Sequence, residues 1–107
     1  IGLMANPLAG EVRVVIDGTP QICKLTLGAI AELETTMQVG SIVELVKRFE
    51  SGNLSSRDVL AVLVAGLRGG GWAGRSEDLM AAEIEGGALG AARVAALLIQ
   101  RAFATVT

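Results

Sequence analysis

The sequence predicts an α+β fold, an N-terminal β-hairpin followed by a bundle of four to five helices. Three observations predict it. Apolar residues alternate on both sides of an Asp-Gly turn between residues 10 and 26, and from residue 27 the apolar spacing changes to threes and fours. Glycine breaks and Ser-x-x-acid caps then divide the stretch from 27 to 104 into separate helices. At 107 residues the chain can bury one core and is too short for two, so residues 1–107 are read as a single domain. Met4 is read as a natural start, in which case Ile1 to Leu3 are expected to be an upstream extension or a cloning remnant without functional weight.

In the hairpin, Val12, Val14 and Ile16 alternate before Asp17-Gly18-Thr19-Pro20, and Cys23 and Leu25 alternate with Ile22, Lys24 and Thr26 after it. Asp-Gly tolerates the positive φ of a tight turn, and Pro20 is expected to delay the second strand. A two-stranded hairpin is marginal in water. The face carrying Val12, Val14, Ile16, Cys23 and Leu25 is therefore expected to lie on helices or on a strand from another chain.

The first helix places Leu27, Ile30, Leu33, Glu34 and Met37 at helical spacing and ends at Gly40. Ser41-x-x-Glu44 reads as a capping box that starts a second helix, with Ile42, Leu45, Val46 and Phe49 on one face and a stop at Gly52-Asn53. Ser55-x-x-Asp58 is a second box, with Leu54 and Val59 placed to form a hydrophobic staple. It opens a third helix from Arg57 to Arg68 that stacks Val59, Leu60, Leu63 and Leu67. Gly69 to Gly74, around Trp72, reads as a flexible connection. Ser76 is expected to cap a short helix that runs on toward Glu83 or Glu85, with Glu77 and Asp78 at its positive end. Gly86-Gly87 breaks it, and Ala88 to Ala104 forms a last helix with little polar face beyond Arg93, Gln100 and Arg101. A helix of that kind is buried or covered by a partner.

Composition excludes several function classes. Lys+Arg 9 against Asp+Glu 11 gives a net charge of -2, which offers no broad basic field for nucleic acid or an anionic membrane. A helix-turn-helix built from residues 41–68 would present only Arg57 and Arg68, near the ends of its second helix. There is no histidine, no tyrosine and one cysteine, so the usual general base, the common zinc ligands and any internal disulfide are missing. No cofactor or metal is implied, and the chain is read as no enzyme. Glu83-x-Glu85 reads as a solvated acidic face, Cys23 as a core residue, and the Gly tract around Trp72 lacks the Lys-Ser/Thr of a phosphate loop. A 51% apolar share with a mean hydropathy of +0.56 excludes disorder, while no apolar run reaches the roughly 20 residues of a membrane span. The opening residues lack a secretory pattern and a lone Cys23 suits a reducing compartment, so a cytoplasmic location is expected.

The order and spacing of the blocks carry a resemblance. Met4-Ala-Asn-Pro-Leu-Ala-Gly-Glu-Val, the hairpin, Leu25-Thr-Leu-Gly-Ala-Ile-Ala-Glu-Leu-Glu, Arg57-Asp-Val-Leu-Ala-Val-Leu-Val-Ala-Gly-Leu-Arg-Gly-Gly-Gly and Ala82-Glu-Ile-Glu-Gly-Gly-Ala-Leu-Gly-Ala-Ala follow one another. From Met4 to Phe103 the chain resembles the small phage-derived proteins of the gene transfer agent tail cluster, a family grouped with phage tail assembly chaperones and sometimes labelled a tail tube protein. The resemblance implies a tail assembly chaperone that binds the tape measure protein and the tail tube protein during tail morphogenesis. The alternative it leaves is a structural tube component retained in the particle; self-association stays open.

The family supplies no motif for client binding. The partner surface is instead inferred from apolar residues beside the glycine tract and along the last helix: Trp72, Leu79, Met80, Ile84, Leu98 and Phe103. Ala61, Ala65 and Gly66 are expected to allow close approach of a client backbone.

Overall fold

In the turn of the hairpin, Asp17 and Gly18 both take positive φ, 50° and 78°. Two consecutive left-handed residues match the right-handed twist of the flanking strands, which is why Asp-Gly is chosen there. The computed structural model that shows this describes residues 4–6, 9–52 and 55–104. Strand β1 (Glu11–Ile16) pairs antiparallel with β2 (Thr19–Lys24), in a register that sets Val12 opposite Cys23 and Ile16 opposite Thr19. Pro20 does not delay β2; it lies inside the strand, opposite Val15. The pair next to a two-residue turn is hydrogen-bonded, so the Val15 and Pro20 pair is not, and the missing N–H of Pro20 falls on the outer edge where no ladder bond is lost. Val12, Val14, Ile16, Cys23 and Leu25 are all buried, and the helices α3 and α5 cover them.

Helix α1 (Leu27–Thr36) starts where the Thr26 hydroxyl accepts the Ala29 N–H at 3.1 Å. It buries Ala29, Ile30 and Leu33, with Met37 at its cap, whereas Leu27 at its first position is left 79% exposed. Helix α2 (Ile42–Glu50) has Ser41 as its cap, but the Glu44 carboxylate passes the Ser41 N–H and takes that of Gly40 at 2.7 Å. Leu45 is its one buried residue, and the expected neighbour Ile42 faces outward with Val43.

Helix α3 (Ser56–Gly69) is the centre of the core. Its capping box is complete: the Ser55 hydroxyl accepts from Asp58 N–H at 3.1 Å, and the Asp58 carboxylate accepts from Ser55 N–H at 3.2 Å. The staple through Leu54, and the stop at Asn53, lie outside the described residues. Every residue from Val62 to Leu67 is buried, as befits a helix packed against α1, α4, α5 and β2 at once. Its glycine end is packed rather than flexible. A Cβ on Gly69 or Gly70 would overlap the carbonyl oxygens of Lys24 and Ile22, so the helix end lies directly along the outer edge of β2.

Helix α4 (Ser76–Met80) is shorter than the sequence suggests. Its cap position is Arg75, whose N–H donates to Asp78 Oδ2 at 2.9 Å, and Ser76 is already the first helical residue. Residues 82–85 do not continue it. They extend alongside β1, with Asp17 N–H donating to Glu83 O at 2.8 Å and Glu85 N–H donating to Val15 O at 3.0 Å, which sets Ile84 opposite Ile16. The Asp17 carboxylate also accepts the Glu83 N–H at 2.8 Å. Gly86 and Gly87, at φ +86° and +64°, turn the chain into α5 (Gly87–Ala104). Ala91, Ala95, Leu98 and Ile99 form its buried stripe. At its far end the Arg101 guanidinium donates to Glu11 O at 2.6 Å.

Candidate functional site

Helices α3 and α5 meet tightly at one end and part at the other. At the tight end Gly66 lies under Leu98 and Cys23; a Cβ there would come within 2.7 Å of the Leu98 methyl and 3.3 Å of Cys23 Cβ. Gly66 and Ala65 therefore serve an approach inside the molecule, and both are buried, while Ala61 is half-buried. Toward the N-terminal ends of the two helices the space between them opens into a groove of about 840 Å³. Val59, Leu60 and Leu63 of α3 form one wall, Ala88 and Ala91 of α5 the second, and Leu79, Met80, Ala82 and Ile84 the third.

The third wall exists because of the extended segment at 82–85. Had α4 run on to Glu85 as a helix, Ile84 could not pair with Ile16. The backbone bonds at Val15 and Asp17 hold Ile84 at the sheet edge while Met80, at the end of α4, projects beside it. Leu79 is anchored in the core at 3% exposure, and Met80 is 71% exposed at the groove. Around this wall lie Glu77, Asp78, Glu83 and Glu85, all exposed. Between residues 76 and 92 there is no lysine or arginine, and the ion pairs among the described residues, Arg48 with Asp58 and Arg68 with Glu32, involve none of the four. Asp78 is engaged in capping α4; Glu83 borders the groove itself. Arg57, exposed at the start of α3, is the one basic residue on the opposite wall.

Of the six residues picked from sequence, the structure brings Leu79, Met80 and Ile84 together in this groove. Leu98 is a core residue at 0% exposure and is removed from any surface of the folded chain. Trp72 is half-buried away from the groove, its indole folded over Gly74, where a Cβ would collide with the ring. Phe103 is half-buried against the core near the far end of α5. Sequence reasoning missed the groove residues Val59, Leu60, Ala88 and Ala91, which read as ordinary core positions. It also missed Leu89, Leu97 and Val43, which are exposed.

Elsewhere, Cys23 is fully buried and its thiol is pushed from 9.0 up to about 12 by burial, so it is no nucleophile at neutral pH. Asp58 is buried with its carboxylate 3.3 Å from Arg48 Nε, and Arg48 also donates to Met37 O at 3.0 Å. These contacts tie α1, α2 and α3 together and serve structure. Among the described residues no helix is long and apolar enough to cross a membrane.

Comparison places the chain among phage tail proteins. Residues 9–105 match the family described as phage tail tube protein, GTA-gp10, which covers nearly the whole chain. The chain belongs to this family of gene transfer agent and phage tail proteins. No curated protein and no solved structure matches it.

Proposed function

We propose that this protein is a non-catalytic tail protein of a gene transfer agent or tailed phage, retained with the tail tube and acting by contact with other tail proteins. The family's description as a tail tube protein carries this reading. The apolar groove at Met80 and Ile84 supports it, since an open hollow of this kind gains most from burial under another protein. Strand addition is an unsuitable route of attachment. The turn end of β1 is occupied by residues 83–85, Arg101 takes the Glu11 carbonyl, and Gly69-Gly70 lie along β2. Attachment therefore runs through the groove and the exposed helix faces.

A second reading is favoured by one observation. Two strands among the described residues are few for a subunit that must close a ring of sheets. On this reading the protein is a tail assembly chaperone that binds the tape measure protein, the tail tube protein or both, and leaves before the particle is complete. Mass spectrometry of purified particles separates the two. Abundance comparable to that of other tail components supports the retained tube protein. Absence from particles, combined with solubilisation of the tape measure protein on co-expression, replaces it with the chaperone.

A further inference from the structure

We infer that the groove between α3, α5 and the 79–84 wall is the seat of an amphipathic helix from a partner protein, one whose apolar stripe is flanked by lysine or arginine on the side facing α4. The inference rests on the reading above that the protein acts by contact, and it names the surface and the chemistry of the partner.

Two features of the groove select a helix over a strand. Its walls are mainly apolar helix side chains that offer no strand to pair with, and the neighbouring sheet edge is consumed by the bonds of Val15 and Asp17 to residues 83–85. A strand laid there would leave its own amides unpaired against apolar side chains, whereas a helix brings its hydrogen bonds with it.

Charge selects the kind of helix. Glu83 lines the Met80 side and Glu77 and Glu85 are exposed on the same segment, none of them in an ion pair among the described residues, in a stretch that contains no basic residue. Arg57 stands alone on the other wall. A basic flank would meet Glu83 at the rim and the field of the exposed Glu77 and Glu85 beyond it, where electrostatics steer association and fix orientation, while burial of Met80, Ile84 and Leu60 supplies the affinity.

The test uses the full protein and two synthetic helical peptides of about 18 residues, roughly five turns. Both carry the same Leu/Ala stripe; one has lysine and the other glutamate on the flank. The lysine peptide should bind and shift the amide resonances of residues 56–63, 79–84 and 87–91, and the glutamate peptide should not. Met80→Asp should weaken binding about tenfold or more. It adds a negative charge, so loss of a basic peptide reports the apolar contact rather than the field. Val43→Asp, equally charged and on α2, should bind as the parent does. The triple variant E77Q/E83Q/E85Q should lose most of the salt dependence. Equal binding of both peptides, resonance shifts elsewhere, undiminished binding by Met80→Asp, or a groove already filled by a second copy in sedimentation analysis would each overturn the inference. A protein that fails these tests yet is abundant in purified particles leaves the tail assignment intact.

Discussion

At Gly69 and Gly70 a methyl group would have to displace the carbonyls of Lys24 and Ile22, which are backbone and cannot rotate aside. We expect Gly70→Ala to cost about 2 kcal/mol or more, read as a lower urea midpoint, because overpacking against main chain is relieved only by moving α3 off the sheet. A variant as stable as the parent would show that the helix end is not held there. Cys23 offers a second single-residue prediction. Burial raises its pKa from 9.0 to about 12, so above pH 9 the unfolded chain releases a proton that the folded chain keeps. Stability contributed by the neutral thiol is complete below pH 9 and is lost between 9 and 12, with a slope of at most about 1.4 kcal/mol per pH unit. Urea titrations from pH 8 to 10.5 should show that slope in the parent and its absence in Cys23→Ala, and a disulfide reagent should label the parent only on unfolding. The one-residue features most visible in the sequence were those that act locally. Asp17-Gly18 needed only its own φ angles to be read, whereas the close approach of Gly66 to Leu98 joins positions that no local pattern connects.

Among the elements, the start of α3 shows how far a motif can be read. Ser55-x-x-Asp58 was legible as a capping box because both partners lie within one turn. Its second task was not, since Arg48 belongs to α2 and meets Asp58 only when the two helices pack. We expect Ser55→Ala to cost about 1 kcal/mol and Asp58→Ala about 2 kcal/mol, the second losing both the cap and the pairing with Arg48. A double-mutant cycle of Arg48→Ala with Asp58→Ala should return a coupling of no more than about 1 kcal/mol, because Arg48 is partly in water. A coupling of zero would reduce Asp58 to a cap alone. The segment after α4 is where sequence reasoning failed. Ser76 looked like a cap and Glu83-x-Glu85 like the end of a helix, but a single paired residue, Ile84, has no periodicity by which to announce a strand. Three of the six residues picked from sequence, Leu79, Met80 and Ile84, line the groove, and composition alone could not separate them from the rest: Met80 and Ile84 were apolar in an acidic neighbourhood, and Leu98 was equally apolar but lies on the stripe of α5 that faces α3.

Across the whole molecule, the buried cluster draws on the hairpin and every helix, with α3 in the middle and the groove's third wall at the margin. Hydrogen exchange should follow that layout. Amides of α3 from Val62 to Leu67 and of the paired strands should be the slowest, and those of 76–86, held by a five-residue helix and a few bonds to β1, should open at lower free energy. Slow exchange throughout 76–86 would mean a rigid groove wall; addition of the lysine-flanked peptide should slow those amides selectively. The bonds between Asp17 and Glu83 span 66 residues, and that between Arg101 and Glu11 spans 90. During synthesis the hairpin therefore leaves the ribosome with the free side of β1 unprotected. At about 5–20 residues per second the covering segment follows roughly 3–13 s later. For that interval the nascent chain is an open template for pairing with a neighbour on the same message, and only arrival of its last quarter closes it, so release of a shortened chain ending before Glu83 should yield aggregates where the full chain does not.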